Sequence, residues 1–251
     1  MSAFRKQLVI EVKLYFRQPL YLIFSVIMPV VSLIIFGSMY SEQKYDGADF
    51  FSMFIPGFCV LILYASSIFN IGSQIVSDKE KGIYKRILVT PVSLFRFISV
   101  IVFKAYITAW LSFFLILLTS RLLFSVYLLS KIGFIFGYSI FILYALLIGI
   151  GISFITQKVT TFSAVMMGSF FPMFMLSDAA IPLAMMPAKI QQIAKFNPLF
   201  QANQILRSFW VGKIFSEQGF TLWKSYLFLI IIGIAIYTIV LFKWKNRESL
   251  F

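Results

Sequence analysis

Residues Leu176–Arg207 read LSDAAIPLAMMPAKIQQIAKFNPLFQANQILR and lie between two long hydrophobic runs. Pro182, Pro187 and Pro198 interrupt this stretch. Each proline removes a backbone donor and clashes with the preceding helical turn, so no continuous membrane-crossing helix can form here. The residues between the prolines are nevertheless mostly apolar, which disfavours an open aqueous loop. Such a segment is expected at the membrane face, packed into the protein.

Hydrophobic residues make up 61% of the 251 residues and charged residues only 12%, with a mean hydropathy of +0.94. Soluble domains are about half apolar and about a quarter charged, so the composition indicates a polytopic membrane protein. The net charge of +13 fits lysine and arginine at a cytosolic membrane face better than nucleic-acid binding. The chain has no histidine, and its single cysteine, Cys59, rules out an internal disulfide.

Hydrophobic runs of about 20 residues predict six transmembrane helices and leave no room for a separate soluble domain. The predicted spans lie near Leu20–Tyr40, Phe50–Ser73, Phe97–Thr119, Gly133–Ile155, Thr161–Ser177 and Ser225–Phe242. Before them, residues 1–18 carry Phe4, Leu8, Val12 and Tyr15 at helical spacing, which predicts an amphipathic helix in the interface. The predicted fold class is all-α, with residues 1–251 forming one transmembrane domain.

The distribution of basic residues predicts the orientation. An even number of spans places both termini on one side, and that side receives fourteen of the 22 lysine and arginine residues. This excess puts both termini in the cytosol. Residues 178–210 are then external, and we expect them to form two short re-entrant helices, the first with Ile190, Ile193 and Ala194 on one face. Asn197-Pro198 reverses the chain between them.

Ionisable groups that could drive transport are absent from the predicted span interiors. All nine acidic residues fall outside the spans, and Lys104 is expected to snorkel from a cytosolic end. An ion-coupled carrier normally needs such groups at membrane depth, so a secondary carrier is disfavoured. No G-x-x-x-x-G-K-[ST] phosphate loop occurs either. We therefore predict that the chain is not an enzyme and binds no cofactor itself. The energy for transport would come from another subunit.

The segment 77–93, SDKEKGIYKRILVTPVS, could receive that energy. Ile83 with Ile87, and Tyr84 with Leu88, are spaced four residues apart, so a short helix would present an apolar edge. Such an edge could insert into a groove on a soluble partner. Alternatively, the helix could rest on lipid headgroups with its basic side chains on anionic lipid.

This segment resembles the cytosolic pattern E-R-E-x-G-T-L-E-x-L-L-x-T-P-V-S of type-2 ABC exporter permeases. The chain matches the pattern at Glu80, Gly82, Leu88, Thr90, Pro91, Val92 and Ser93. It departs from it at Lys85, where the family is usually acidic, and at Ile83 and Tyr84. A second family pattern is matched by Pro182-Leu183, Met186-Pro187, Asn197-Pro198-Leu199 and Leu206-Arg207. There Asp178 replaces a small residue.

The resemblance covers the whole chain and implies a permease subunit of an ATP-driven exporter. It implies that residues 77–90 form a coupling helix that contacts a cytosolic ATPase through Glu80, Gly82, Ile83, Tyr84, Ile87 and Leu88. It also implies that the external segment gates the exit at Pro182, Pro187, Asn197 and Pro198. The implied partners are two ATPase subunits, which hold ATP and Mg, a second identical or related permease, and the lipid of a bacterial cytoplasmic membrane. The rival interpretation is a membrane assembly or immunity factor that transports nothing.

Two sets of side chains are candidates for the substrate path. Ser66, Asn70 and Ser73 share one face of the second span, where they could line a path or hydrogen-bond between helices. Met166, Phe170 and Met173 share a face of the fifth span, where they could accept greasy substrates or simply pack. Both alternatives stay open from sequence alone. An amphiphilic drug, a peptide or a lipid-linked molecule would each fit.

Overall fold

The computed structural model describes residues 3–17, 22–42, 44–45, 48–90, 93–126, 131–179, 183–212 and 221–245. The α-helices are α1 Ala3–Phe16, α2 Met28–Tyr40, α3 Phe50–Ala65, α4 Ser73–Glu80, α5 Ile83–Leu88, α6 Leu94–Phe124, α7 Lys131–Ile155, α8 Val159–Met175, α9 Ala188–Ala194, α10 Pro198–Val211 and α11 Trp223–Lys245. π-Helical turns occupy Ile23–Ile27 and Ser66–Gly72, and Leu183–Met185 form a 3₁₀ turn. Strands β1 Lys44–Tyr45 and β2 Ala48–Asp49 pair antiparallel, with Lys44 opposite Asp49. The predicted all-helical class is confirmed apart from this short ribbon.

Within the described residues, four helices are long and apolar enough to cross a membrane. They are Phe50–Glu80, Leu94–Phe124, Ile132–Ile155 and Trp223–Lys245, and each coincides with a predicted span. The other two predicted spans correspond to the shorter apolar helices Ser25–Tyr40 and Val159–Met175. The protein is therefore a multi-pass membrane protein.

The helix from Phe50 to Glu80 lies at the centre of the bundle and joins α3, the second π-helical turn and α4. It begins where the Asp49 carboxylate accepts hydrogen bonds from the backbone N–H of Ser52, at 3.1 Å, and from its hydroxyl, at 2.6 Å. A carboxylate at this position satisfies a backbone donor that the helix leaves open. All but two residues of α3 are buried. Helices α2, α6, α7 and α10 pack around it.

Helix α1 packs along the first half of α6. Tyr15 and Glu11 are buried, and the Phe4 ring meets Phe103 edge-on at 6.1 Å between centroids. The inward face therefore follows the helical spacing that the sequence indicates. Val9 and Ile10 are exposed on the opposite side, where an interfacial helix would meet lipid.

Glycines allow α7 to approach its neighbours closely. A Cβ added at Gly149 would lie 2.5 Å from the carbonyl oxygen of Ser67, in the second π-helical turn, and one at Gly137 would lie 2.8 Å from the Phe209 ring. Gly133 with Gly137, and Gly149 with Ser153, are each four residues apart, a spacing of small residues that is typical of close helix packing, and close contacts occur at Gly137 and Gly149.

The contact at Gly149 predicts a stability change. Gly149→Ala should lower the free energy of unfolding by about 1–3 kcal/mol, because the new methyl group collides with backbone rather than with a movable side chain. Thermal unfolding in detergent measures the effect. Gly168→Ala is the matched control, since no atom lies within 4 Å of its added Cβ. Equal melting temperatures for the two variants would contradict the close approach of α7 to the π-helical turn.

Candidate coupling, gate and substrate-path sites

Helix α5 lies where the sequence predicts the coupling helix. Gly82 separates it from α4 and adopts a left-handed conformation with φ of 66°, which glycine accepts without the strain a side chain would bring. The helix ends where the backbone N–H and the hydroxyl of Thr90 both donate to the Ile87 carbonyl, at 2.9 and 2.7 Å. Its outer surface carries Lys85 and Arg86.

Tyr84, predicted from the sequence to contact a partner, lies instead inside the protein. Its side chain is fully buried and meets the Phe97 ring edge-on at 5.9 Å. Burial, with the negative charges of Asp78 and Glu11, raises the pKa of Tyr84 well above its ordinary value, so the phenol stays neutral. The four-residue spacing of Tyr84 and Leu88 predicted that both would lie on the same exposed apolar edge of the helix. In the structure Tyr84 faces the protein, whereas Leu88, at the last position of this six-residue helix, is exposed.

The apolar surface that α5 offers to a partner is small and lies at its end. Leu88 is 45% exposed and Val89 is 86% exposed, whereas Ile83 and Ile87 are half-buried. The sequence analysis did not single out Val89. Its high exposure becomes visible only once the packing of α5 against the protein is known.

Residues 79 and 80, at the end of α4, connect this helix to α7 and α8. The Lys79 ammonium is buried and donates to the carbonyls of Phe154, at 3.3 Å, and Thr156, at 3.1 Å, where α7 ends. The Glu80 carboxylate accepts from the N–H of Val159 at 2.9 Å, where α8 begins. A cation at a helix C-terminus and an anion at an N-terminus each match the helix dipole. Glu80, predicted to touch an ATPase, thus has an intramolecular partner.

A second connection ties α1 to the same region. The buried Lys104 ammonium of α6 pairs with the Glu11 carboxylate at 3.3 Å and also donates to the Gln74 side-chain oxygen. The Gln74 amide in turn donates to Glu11 at 2.9 Å. Lys104 therefore does not snorkel to the surface as expected, because a carboxylate from α1 reaches it inside the bundle.

The segment 178–210 contains the two short helices that the sequence predicts, α9 and α10. The chain reverses at Asn197, whose side-chain oxygen accepts from the Leu199 N–H at 3.0 Å, and Pro198 occupies the first turn, where its missing donor costs nothing. The Asn197 amide also donates to the Met173 carbonyl at 2.6 Å. Pro187 precedes α9, and Pro182 lies outside the described residues.

The packing of α9 differs in detail from the prediction. Only Ala194 of the three residues expected on one buried face is buried, while Ile190 is 37% and Ile193 is 60% exposed. The helix has only seven residues and touches the protein along a narrow line, so its other apolar side chains face outward.

An ion pair joins the two ends of the segment 178–210. Arg207 of α10 contacts the Asp178 carboxylate at 2.8 Å and also donates to the backbone carbonyl of Asp178 at 3.2 Å. The other Asp178 oxygen accepts from the Leu183 N–H at 2.6 Å. Asp178 has a left-handed φ of 60°, which aspartate tolerates better than most residues. The departure from the family pattern at this position therefore has a structural role.

The polar stripe of the second span lies inside the subunit. Ser66, Asn70 and Ser73 are all buried, and the Asn70 amide donates to the Thr108 hydroxyl of α6 at 3.0 Å. This contact favours the helix-joining interpretation for Asn70, because the hydrogen bond crosses directly between two helices.

The second candidate set, on α8, borders a cavity. Met166 and Met173 line a space of about 420 Å³ bounded by the Phe50–Glu80 helix, α7, α8, α10 and α11. Phe170 contacts the Tyr64 ring at 5.4 Å between centroids, and the Tyr64 and Ser169 hydroxyls are hydrogen-bonded at 2.9 Å. No three histidine, cysteine, aspartate or glutamate side chains in the described part of the chain converge into a metal site.

Comparison with known proteins identifies the architecture. The family profile described as ABC-2 type transporter matches residues 4–211. The chain belongs to the ABC-2 type transporter family. It is also 28% identical over 273 residues to the protein named "Putative transport permease ycf38" of Cyanophora paradoxa, an alignment that covers 98% of this chain and 88% of that protein.

Membership in the ABC-2 type transporter family makes the chain a membrane subunit of a transporter. Subunits of this family normally lack a nucleotide site of their own, and the family implies an ATPase partner. In this ABC-2 type transporter, α5 and the Asp178–Arg207 pair lie at opposite ends of α8. This helix begins at Val159, which is bound by Glu80 just before α5, and it ends at Met175, just before Asp178.

The Asp178–Arg207 pair predicts a thermodynamic coupling. Asp178→Ala should lower the free energy of unfolding by roughly 3 kcal/mol, because it leaves a partly buried guanidinium without its carboxylate. Arg207→Met should cost a similar amount, and the double variant should cost less than the sum. Chemical unfolding in detergent measures all three. Lys189→Met, which removes an exposed cation, is the control, and strictly additive losses would contradict a coupled pair.

Proposed function

We propose that this subunit is the permease of an ATP-driven exporter whose energy comes from separate ATPase subunits. In this proposal the subunit crosses a bacterial inner membrane six times, through the four long helices and the shorter helices α2 and α8. Both of its termini lie in the cytosol. Two permeases, identical or related, would form the pathway, and two ATPases would hold ATP and Mg. The cargo class is an amphiphilic drug, a peptide or a lipid-linked molecule.

The observation that supports the proposal most is the way α5 is attached. Tyr84 of α5 is buried against α6, and immediately before α5, at the end of α4, Lys79 binds the end of α7 and Glu80 binds the start of α8. A force applied to α5 would therefore reach α6 directly, and α7 and α8 through the end of α4. A helix that merely rested on lipid headgroups would need no such connections.

The remaining exposed surface of α5 suits a soluble partner. Leu88 and Val89 offer an apolar tip, and Lys85 and Arg86 flank it with positive charge. An ATPase groove with apolar walls and an acidic rim would complement this surface. The Glu11–Lys104–Gln74 cluster would carry the same movement into α1.

Substitution of the exposed tip tests the coupling. Leu88→Asp combined with Val89→Asp should abolish ATPase association and permease-stimulated ATP hydrolysis, because two carboxylates would have to be desolvated in the interface. Co-purification and hydrolysis assays on the reconstituted complex measure both effects. The matched control is Phe196→Asp, at a residue that is 76% exposed in the external segment. Normal assembly of the Leu88/Val89 variant would refute the proposed docking surface.

Accessibility from the two sides of the membrane tests the orientation. Single cysteines at Lys189 and Lys195, both exposed, should react with an impermeant thiol reagent added outside intact cells. A cysteine at Lys85 should react only after the membrane is opened. A Cys59→Ala background removes the buried native thiol. If the cysteine at position 85 were labelled from outside intact cells, the proposed orientation would be wrong.

A further inference from the structure

An apolar groove on the side of the bundle takes no part in the proposed coupling. It lies between α6, α7 and α11 and has a volume of about 670 Å³. Phe103, Leu143 and Leu241 line it and are exposed, so the groove opens to the outside of the subunit rather than into its interior. An apolar chain from the surrounding bilayer could therefore enter it from the side.

The length of the groove matches one leaflet of a membrane. Its lining follows α7 from Leu143, near the middle of the helix, to Phe154, near its end. At 1.5 Å per residue this stretch is about 16 Å long. The hydrocarbon core of a bilayer is roughly 30 Å thick, so the groove has the depth of a single acyl chain.

The end of the groove at Phe154 has the features of a headgroup level. Trp244 lines this end, and its ring stacks on that of Phe154 at 6.4 Å between centroids. Tryptophan rings are enriched where a membrane meets water. The carbonyl of Phe154 accepts from the buried Lys79 ammonium, which places this end on the same side of the bundle as α5.

Positive charges without carboxylate partners lie at this end. Arg96 adjoins the lining residue Phe95, and its Nε is buried without a hydrogen-bond partner among the described residues. Lys243 adjoins Trp244 and lies close enough to Lys79 for the two charges to interact. Neither Arg96 nor Lys243 forms an ion pair with a described carboxylate. Because like charges repel, an anion at this end would be bound favourably.

We propose that the groove binds an anionic phospholipid, with one acyl chain between α6, α7 and α11 and with its phosphate at Arg96 and Lys243. Basic pockets between transmembrane helices bind anionic lipid headgroups in other membrane proteins. Phosphate oxygens would accept charge-assisted hydrogen bonds from Arg96, including its buried Nε. This binding concerns the permease alone and does not depend on the proposed exporter function.

Quenching of tryptophan fluorescence tests the proposal, because Trp244 lines the groove. The permease alone is placed in phosphatidylcholine nanodiscs that contain an increasing fraction of phosphatidylglycerol brominated near the headgroup end of its chains. Quenching should saturate at a low fraction of this lipid. Brominated phosphatidylcholine should quench only in proportion to its fraction, and Trp244→Phe should remove the saturable component.

Charge variants give a second readout. Arg96→Gln combined with Lys243→Gln should weaken saturable quenching about thirtyfold, since each basic residue near an anionic headgroup contributes about 1 kcal/mol. The matched control is Lys13→Gln combined with Lys81→Gln, which removes two exposed cations from the α5 end of the bundle. Melting temperatures verify folding. If the double variant does not fold, each single variant should still weaken binding about fivefold.

Three results would overturn the lipid site. They are an equal loss in the control pair, which would indicate general attraction to surface charge, equal saturable quenching by brominated phosphatidylcholine, and no saturable quenching at all, as expected if a second copy of the chain covers the groove. The docking variant Leu88→Asp/Val89→Asp should bind the lipid normally. Saturable binding in a permease that no ATPase stimulates would retain the lipid site and refute only the exporter function.

Discussion

Close packing around the helix from Phe50 to Glu80 is the constraint on which the subunit depends. This helix is enclosed by its neighbours, so its side chains must match theirs, and its polar groups must find partners inside the protein. Asn70 finds Thr108, and Ser67 packs over the space that Gly149 leaves. A cavity remains where this helix faces α7, α8, α10 and α11.

Charge at the ends of helices organises the end of the bundle that carries α5. Lys79 and Glu80 are neighbours in sequence, yet one satisfies the last carbonyls of α7 and the other the first amide of α8. The Glu11–Lys104 pair adds α1 to this arrangement. Buried charges are costly to leave without a partner, so these contacts hold the helices in a defined arrangement rather than simply adding stability. The opposite end of the bundle uses the same principle at Asp178 and Arg207.

Much of the architecture could be predicted from residue types and spacing. Hydropathy located all four long helices, prolines divided the segment 178–210 into short helices, and the i, i+4 pattern indicated the buried face of α1. A short helix was predicted in the right place, between Gly82 and Thr90, because these two residues are local signals for its start and end. These features depend on the backbone of a short segment and on the preference of apolar side chains for an apolar environment, and both are properties of the sequence itself.

The partner of each polar side chain was decided only by the tertiary structure. From the sequence, Lys104 was expected to snorkel to the surface, but in the structure α1 places Glu11 beside it. Tyr84 was expected to be exposed, but α5 packs with Tyr84 facing the protein. Asp178 and Arg207 are 29 residues apart in the chain, and no local pattern links them. The sequence by itself thus determined which segments are helical and which belong in a membrane. The pairing of distant charges, the exposure of Val89 and the groove between α6, α7 and α11 depend on how helices rotate and cross, which is set by packing over the whole bundle.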